Sequence, residues 1–522
     1  MKPKINNPPA PEISRGWRGL IPYLLMTAAV FAAYILFPPE TALHGHAGQY
    51  LMAAGSALLI LTYAVGYIAG WFHKKDLVTF IMICGVLLRI GYMLYTGYSV
   101  RSHDVVGENG HEEYIMRLYE HFQLPDSYER QYYHPPLLHF LSAGVMKLFS
   151  LFTDNWEFLI NTTKIVPTIA SCACIPVCCR ICRACGMSRV GVGVATAIIS
   201  FHPTFFILSA NINNDMLMVL LLFCAFLYTL KWYVSGCMKD IVILAIFIGL
   251  AMMAKLSGGM IAAVTGCVFL LVLIRTAKSR EKGAVKRLFL QFGVFAAIAF
   301  PLGLWYSVRN FIKFGQPFGF VHNIGLSHPI YTGDISFGER FFAFSLTDCL
   351  AEPFCHPFRP DHRVWEFMLK SSLFGEYTFA GPACLAATLV LIGFLLVLVS
   401  LAAMAYVLIR SAKNKTYPLL QAPVGALGKW MLFLLWGSQL FSFISFNIGF
   451  PFACTMDFRY IVPTLLTGAA FIGFLYPEKK SETEVPVAAG RTTGFAAAVR
   501  CGVFVLAVLF CLVSAVFYML TS

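Results

Sequence analysis

Residues 77–97 read LVTFIMICGVLLRIGYMLYTG, and residues 98–136 continue YSVRSHDVVGENGHEEYIMRLYEHFQLPDSYERQYYHPP. The first segment carries a single charge, Arg89, and is long enough to cross a bilayer as one helix at 1.5 Å per residue. The second is polar. Its 39 residues hold seven of the 26 acidic side chains (Asp104, Glu108, Glu112, Glu113, Glu120, Asp126, Glu129). They also hold four of the 13 histidines: His103, His111, His121 and His134. A membrane protein gains no stability by gathering titratable groups at one mouth of its bundle. General acid–base work or metal binding gives a reason to do so.

Outward from this junction the same alternation repeats. The chain of 522 residues is 58% hydrophobic and 12% charged, with a mean hydropathy of +0.71, and apolar runs of spanning length recur from Gly19 to Leu520. They are continuous, whereas a barrel needs alternating segments of about ten residues. The expected class is an all-α polytopic membrane protein. The first run, Gly19–Phe37, lacks a small-residue cleavage site and reads as a retained signal-anchor. The formal charge of +13 does not indicate nucleic acid, because the cations cluster in short segments between apolar runs, as topology signals do. Those segments are Lys2–Arg18, His73–Asp76, Arg180–Arg189, Lys231–Lys239, Arg275–Arg287, Arg410–Lys415 and Lys479–Lys480.

Placing all seven inside exposes 38–49, 98–158, 211–215, 255–257, 309–383 and 450–457 on the far face. The parity closes only if Leu137–Phe152, which follows Pro135-Pro136, lies at the interface as a juxtamembrane helix. About 13 crossings result. The implied organisation is a cytoplasmic tail (1–18), two additional helices (19–72), a catalytic membrane region (73–476), a cytoplasmic linker (477–497) and a last helix (498–522). Met1–Ser14 and Glu478–Arg491 read as disordered. The outer loops 98–158 and 309–383 exceed plain connectors, and loops of such length usually carry function. The second reads as short helical pieces broken by Pro329, Pro353, Pro357 and Pro360, a partly ordered lid. Of the 16 cysteines, the run Cys179-x-x-Cys182-x-x-Cys185 reads as small apolar filler at a helix end; Cys349 and Cys355 share the second loop at a spacing that permits pairing.

A few cations depart from the inside bias. Lys164 opens a span, and Lys255, Arg309 and Arg459 lie at span ends on the far face. Each asks for an anionic partner, and a lipid phosphate in the headgroup plane supplies one. Proton-accepting acids beside cations that hold a departing phosphate make group transfer from a lipid phosphate feasible.

The motifs point the same way. Ser102-His-Asp-Val105, Gly110-His-x-x-Tyr114 and Tyr133-His-Pro-Pro-Leu137 resemble the first outer loop of C-type-fold (GT-C) glycosyltransferases. These are the polyprenyl-phosphate-sugar-dependent membrane enzymes, including protein O-mannosyltransferases and lipid A aminoarabinose transferases. His202-Pro, Asn213-Asn-Asp215, Gly249-Leu-Ala-x-x-Ala-Lys255, Trp305-x-x-x-Arg-Asn310, Phe314-Gly-Gln-Pro317, Lys370-Ser-Ser-Leu-Phe-Gly375 and Asp457-Phe-Arg-Tyr-Ile461-x-Pro463 follow in the family order, across residues 77–476.

The resemblance implies that Asp104 is the base that deprotonates the acceptor, which then displaces the lipid phosphate with inversion. The family often places a second acid beside this Asp; Val105 stands there, so a partner role passes to Glu108 or Glu112, with His103 adjacent. A helix N-cap or a solvated loop acid is the alternative for Asp104. His134 matches a position that contacts lipid phosphate or metal. With His103, His111 and Glu108 it could build a divalent site, or the histidines could be interfacial hydrogen-bonders. His111 and Tyr114 could position acceptor or sugar. Asp215 is either an N-cap or a sugar contact. Lys255, Arg309 with Asn310, and Arg459 are candidate phosphate contacts; snorkelling to headgroups is the alternative, and for Arg459 a structural pair with Asp457.

The expected protein is thus a membrane glycosyltransferase that takes sugar from a polyprenyl phosphate on the extracytoplasmic face of the plasma membrane or the endoplasmic reticulum. Its acceptor is a protein, lipid or glycan. A divalent ion is the one cofactor considered. The rival is a transporter or lipid flippase with charges lining a translocation path; it calls for paired inverted halves and broken helices near mid-membrane, and the sequence indicates neither. Arg89 is the one charge deep in a span that such a path could use, unless a neighbouring helix satisfies it.

Overall fold

A computed structural model describes residues 19–521, apart from 103, 280, 323, 357–360, 414–421 and 478–493. The expectations for 1–18, His103, Pro357, Pro360, Lys415, Lys479–Lys480 and Glu478–Arg491 lie outside the described residues. Those described form helices and no strand; the single extended pairing is an isolated antiparallel bridge between Tyr331 and Phe452. The chain is a multi-pass membrane protein. Among the described residues nine helices are long and apolar enough to cross a bilayer, and a tenth crossing is the pair Arg189–Phe201 and Pro203–Ala210, bent by 43°. The expected 13 would be reached only if the shorter helices Ile21–Leu36, Met238–Ala254 and Thr464–Gly473 also cross.

The bend shows how sequence becomes packing. Pro203 has no N–H to give the carbonyl of Ile199, and the N–H of Thr204 turns to the His202 side chain at 3.4 Å. Two carbonyls inside the bundle are therefore left over, and Arg89 takes them. Its guanidinium donates to Ile199 O at 3.0 Å, Ser200 O at 2.7 Å, Gly85 O at 2.8 Å and Ser171 Oγ at 2.9 Å. The Phe205 and Phe206 rings lie near the same guanidinium. Arg89 is wholly buried and bound to neighbouring helices. It is a fastener of the broken helix, so its burial needs no translocation path to explain it.

Lys164 has a similar role. Its ammonium caps the last carbonyls of the helix Leu77–Tyr95, Met93 O at 3.0 Å and Thr96 O closer still. Its partners are main-chain carbonyls. The helix Ala47–Ile68 meets Leu77–Tyr95 through Gly48, where a Cβ would lie 2.4 Å from Gly91 O.

Tertiary contacts sort the connections into two ends. Arg180 donates to Gly19 O, Tyr233 to Ala422 O, Gln291 to Gly236 O, and the Tyr476 hydroxyl to Arg500 O. These ties gather the segments that hold or adjoin the basic clusters at one end. Residues 98–136, 211–215, 255, 376 and 457 meet at the other. There the amphipathic helix His111–His121 packs on Leu137–Phe149, the short apolar helix expected at the interface. The second long loop forms the short helices Phe337–Phe342, Leu346–Ala351 and Val364–Phe374. It is tied to the outer segment 450–457 through Thr332 N–H to Pro451 O and Ala453 N–H to Ile330 O, each 2.8 Å. Cys349 and Cys355 are both buried free thiols.

Candidate active site

Asp104 sits where the chain leaves the helix Leu77–Tyr95 and folds back to start His111–His121. The loop takes left-handed backbone at Arg101, Asp104, Asn109 and Gly107, with φ of 58° at Asp104. Its carbonyls then point at the helix start. The N–H groups of His111 and Glu112 donate to Asp104 O and Val105 O at 2.9 and 3.0 Å. The N-cap residue is Gly110, where a Cβ would lie 2.5 Å from Val105 O. Asp104 therefore caps with its main chain, and its carboxylate does not act as an N-cap.

That carboxylate is exposed, yet close enough to bear electrostatically on His111, Tyr133, Glu376 and Cys454. Ser102, two residues earlier, donates to Asn211 Oδ1 at 2.8 Å, and Asn211 Nδ2 donates to the Tyr377 hydroxyl at 3.1 Å. Asn211, Tyr377, Asp457 and Arg459 line a narrow pocket next to this loop.

Behind Asp104 lies a buried set of charges drawn from four distant segments. Lys255, at the end of Met238–Ala254, donates to Asp215 Oδ1 at 2.6 Å. Asp215 is the first residue of the helix Asp215–Ser235 and also supplies no cap; its N–H donates to Asn213 Oδ1 at 3.1 Å. A carboxylate in a first helical turn suits the helix dipole. Lys255 also lies 4.9 Å from the centre of the Tyr460 ring. Arg459 is held more loosely: Nε is 3.5 Å from Asp457 Oδ2 with no hydrogen bond, and the guanidinium donates to the Tyr460 hydroxyl at 3.3 Å. Asp457 spends one oxygen on the Arg459 N–H at 3.0 Å.

Glu376 completes the group. It follows Gly375, whose φ of 62° turns the chain after Val364–Phe374. Burial raises its carboxyl well above the usual carboxylate range, and neighbouring Asp457, to which it is hydrogen-bonded, adds to the rise. Burial raises Asp457 as well, against the pull of Arg459. Glu376 is therefore the member of the pair that keeps a proton. Lys255 and Arg459 are paired with carboxylates here, so an incoming phosphate would compete with Asp215 and Asp457.

The histidines form a stack. His111 Nδ1 and His139 Nε2 are 2.9 Å apart, His134 lies across His111 with centroids 5.8 Å apart, and Tyr114 covers His139 at 3.9 Å. Desolvation lowers His111 to about 4 and holds His134 and His139 well below the usual imidazole range. All three are neutral at pH 7. Among the described residues no group of three or more His, Cys, Asp or Glu could hold a metal ion. The Glu108 side chain is exposed on the loop while its carbonyl accepts from Arg130 at 2.9 Å. His103 lies outside the described residues. His134 lies in the buried stack, whereas Glu108 lies on the exposed part of the loop.

Other expected residues are engaged in joining loop to bundle. Arg309 donates to Pro125 O at 2.6 Å and to Asn310 Oδ1 at 2.7 Å; Asn310 in turn donates to Gln316 Oε1 at 2.8 Å. The Tyr114 hydroxyl donates to that of Tyr306, 3.0 Å away, and Tyr306 to Tyr132 O at 2.6 Å. Asp104, His111, His134, Asp215, Lys255 and Arg459 thus share one end-on cluster, while Arg309, Asn310 and Tyr114 fasten the first loop to the helix Ala284–Phe314. Glu376 and His139 were missed by sequence reasoning, although Glu376 directly follows a motif already quoted, and Tyr133 was quoted in a motif without a role.

Residues 133–305, about a third of the chain, match the family model described as dolichyl-phosphate-mannose-protein mannosyltransferase. The match bears out, over those residues, the glycosyltransferase resemblance carried by the motifs. No curated protein matches the chain in sequence. Among solved structures it resembles the oligosaccharyltransferase AglB from Archaeoglobus fulgidus in complex with an inhibitory peptide and a dolichol-phosphate. That likeness has 12% identity and a TM-score of 0.46, over 85% of this chain and 56% of that one. The chain thus spans a little over half the length of that protein. It is also similar to ArnT from Cupriavidus metallidurans in the apo state (14% identity, TM-score 0.35, 79% of this chain and 78% of that one). The ArnT structure bound to undecaprenyl phosphate gives 14% identity and a TM-score of 0.33, over 77% and 79%.

Proposed function

We propose that this chain, whose residues 133–305 match a mannosyltransferase family model, transfers a sugar from a polyprenyl-phosphate donor to an acceptor on the extracytoplasmic side. One observation carries the reading: a water-accessible carboxylate, Asp104, stands before a buried cluster holding Lys255 and Arg459. In the step proposed, Asp104 takes the proton of the acceptor O–H or N–H. The freed electron pair attacks the anomeric carbon from the face opposite the phosphate. The carbon–oxygen bond to phosphate breaks, and its electrons leave with the polyprenyl phosphate.

The less firmly held Arg459 is the first cation to meet the departing phosphate, with Lys255 behind it. Neutral His111 and His134 line the same end and offer hydrogen bonds without adding charge. Protonated Glu376 keeps the acid side of the cluster from repelling an anionic donor. Sidedness follows from the basic segments at the opposite end.

The experiment is turnover of a radiolabelled polyprenyl-phosphate sugar by purified protein in nanodiscs. Asp104→Asn should lower the transfer rate at least about a thousandfold while leaving donor binding within about threefold, the separation expected when only the proton acceptor is lost. Wild-type turnover in that variant removes Asp104 as the base.

A further inference from the structure

At the end of the bundle opposite Asp104, four chain segments surround a cavity of about 360 Å³. Ser188, at the start of Arg189–Phe201, forms one wall. Tyr406, Arg410 and Ser411 of Ala383–Lys413 form the second, Lys429 of Val424–Gly449 the third, and Tyr476, beyond Thr464–Gly473, the fourth. The cations here have uncharged partners. Arg410 donates to the Tyr406 hydroxyl at 3.0 Å, and the Lys429 ammonium lies 5.0 Å from the centre of the Phe474 ring. Arg500 adjoins the rim, where its carbonyl accepts from the Tyr476 hydroxyl at 3.0 Å. Among the described residues no carboxylate pairs with Arg410, Lys429 or Arg500.

The contrast with the other end is the point. There Lys255 and Arg459 each meet an acid; here two cations face one concave space and, among the described residues, meet none. The start of Arg189–Phe201 adds the positive end of a helix dipole. Tyr406 and Ile409, on the outer surface of the same helix, are 51% and 55% exposed, which leaves apolar surface beside the opening for an acyl chain. Basic pockets between helix ends at the cytoplasmic level suit phosphate headgroups.

We infer that this cavity binds a phosphate ester, the headgroup of an anionic lipid, through Arg410 and Lys429. The site is separate from the glycosyl-transfer reading and stands or falls without it.

The test is native mass spectrometry of the full chain titrated with phosphatidylglycerol, with phosphatidylcholine as the uncharged comparison, and thermal shifts with inorganic phosphate. Wild type should retain one phosphatidylglycerol at least about tenfold more tightly than phosphatidylcholine. Arg410→Gln with Lys429→Gln should abolish that preference, and Lys278→Gln, exposed at the same end, should keep it. Should the double variant fail to fold, Arg410→Gln alone, a change at an exposed residue, should still weaken the preference several-fold. A stabilisation by inorganic phosphate that the variants lack would support the phosphate site with a soluble source. Equal response of wild type and variants to both probes overturns the site.

Discussion

At Lys255 and Asp215, two residues that the sequence offers separately as phosphate and sugar contacts turn out to be partners. Both lie in a poorly hydrated position, with side chains 15% and 3% exposed. Removing one partner leaves the other charge buried, which costs about 3–5 kcal/mol, whereas removing both costs far less. Lys255→Met and Asp215→Asn should each lower the melting temperature strongly, and the double substitution should recover at least half of the loss. Additive losses in that cycle, read by thermal unfolding in detergent, would show the two side chains to be uncoupled and refute the pair. His111 makes a pH prediction. Its folded value near 4 lies below the 6.5 of an unfolded histidine. Between those values the unfolded chain binds more protons, so its contribution is complete above pH 6.5 and is lost as pH falls towards 4. The shift corresponds to roughly 3 kcal/mol. His111→Asn should therefore flatten the fall of melting temperature between pH 7 and pH 5; an unchanged acid slope would refute the neutral-histidine stack.

The broken pair Arg189–Phe201 and Pro203–Ala210 shows the same logic for an element. The break is written in His202-Pro203, and its cost is two carbonyls within the apolar bundle, of Ile199 and Ser200. Arg89, more than a hundred residues away in sequence, satisfies both. Arg89→Leu preserves apolar volume but leaves those carbonyls unpaired, at about 1–3 kcal/mol each. It should destabilise the protein by about 2–6 kcal/mol without changing donor affinity in whatever protein survives folding. A flippase path through Arg89 predicts the reverse, near-normal stability and lost transport. The helix His111–His121 is the second element of this kind: its start is closed by the carbonyls of Asp104 and Val105. A loop that holds its shape through main-chain bonds leaves the Asp104 side chain available for chemistry.

Across the whole molecule the loops segregate by charge, acids and histidines to one end, basic segments to the other. The expected threading requires such segregation, since every crossing must carry the chain from a basic connection to a mixed one. Cys237, exposed within the basic segment Lys231–Lys239, should react with a membrane-impermeant maleimide only from the cytoplasmic side. Phe122→Cys, at a position 81% exposed near the acidic cluster, should react only from the other. Labelling of both from one side would refute the arrangement.

The class, the apolar runs and the clustering of acids after residue 97 were legible because hydropathy and charge are properties of contiguous sequence, summed over about 20 residues at a time. The motif that singles out Asp104 for the proposed role is local in the same way. Partner choice was not legible. Whether a cation at a span end holds phosphate, main chain or a carboxylate depends on which distant segment arrives beside it. Only the folded chain sets Arg309 against Pro125, Lys255 against Asp215, and Glu376 against Asp457. In a low-dielectric interior each charge must find its counterpart within a few ångströms. Packing decides which one does.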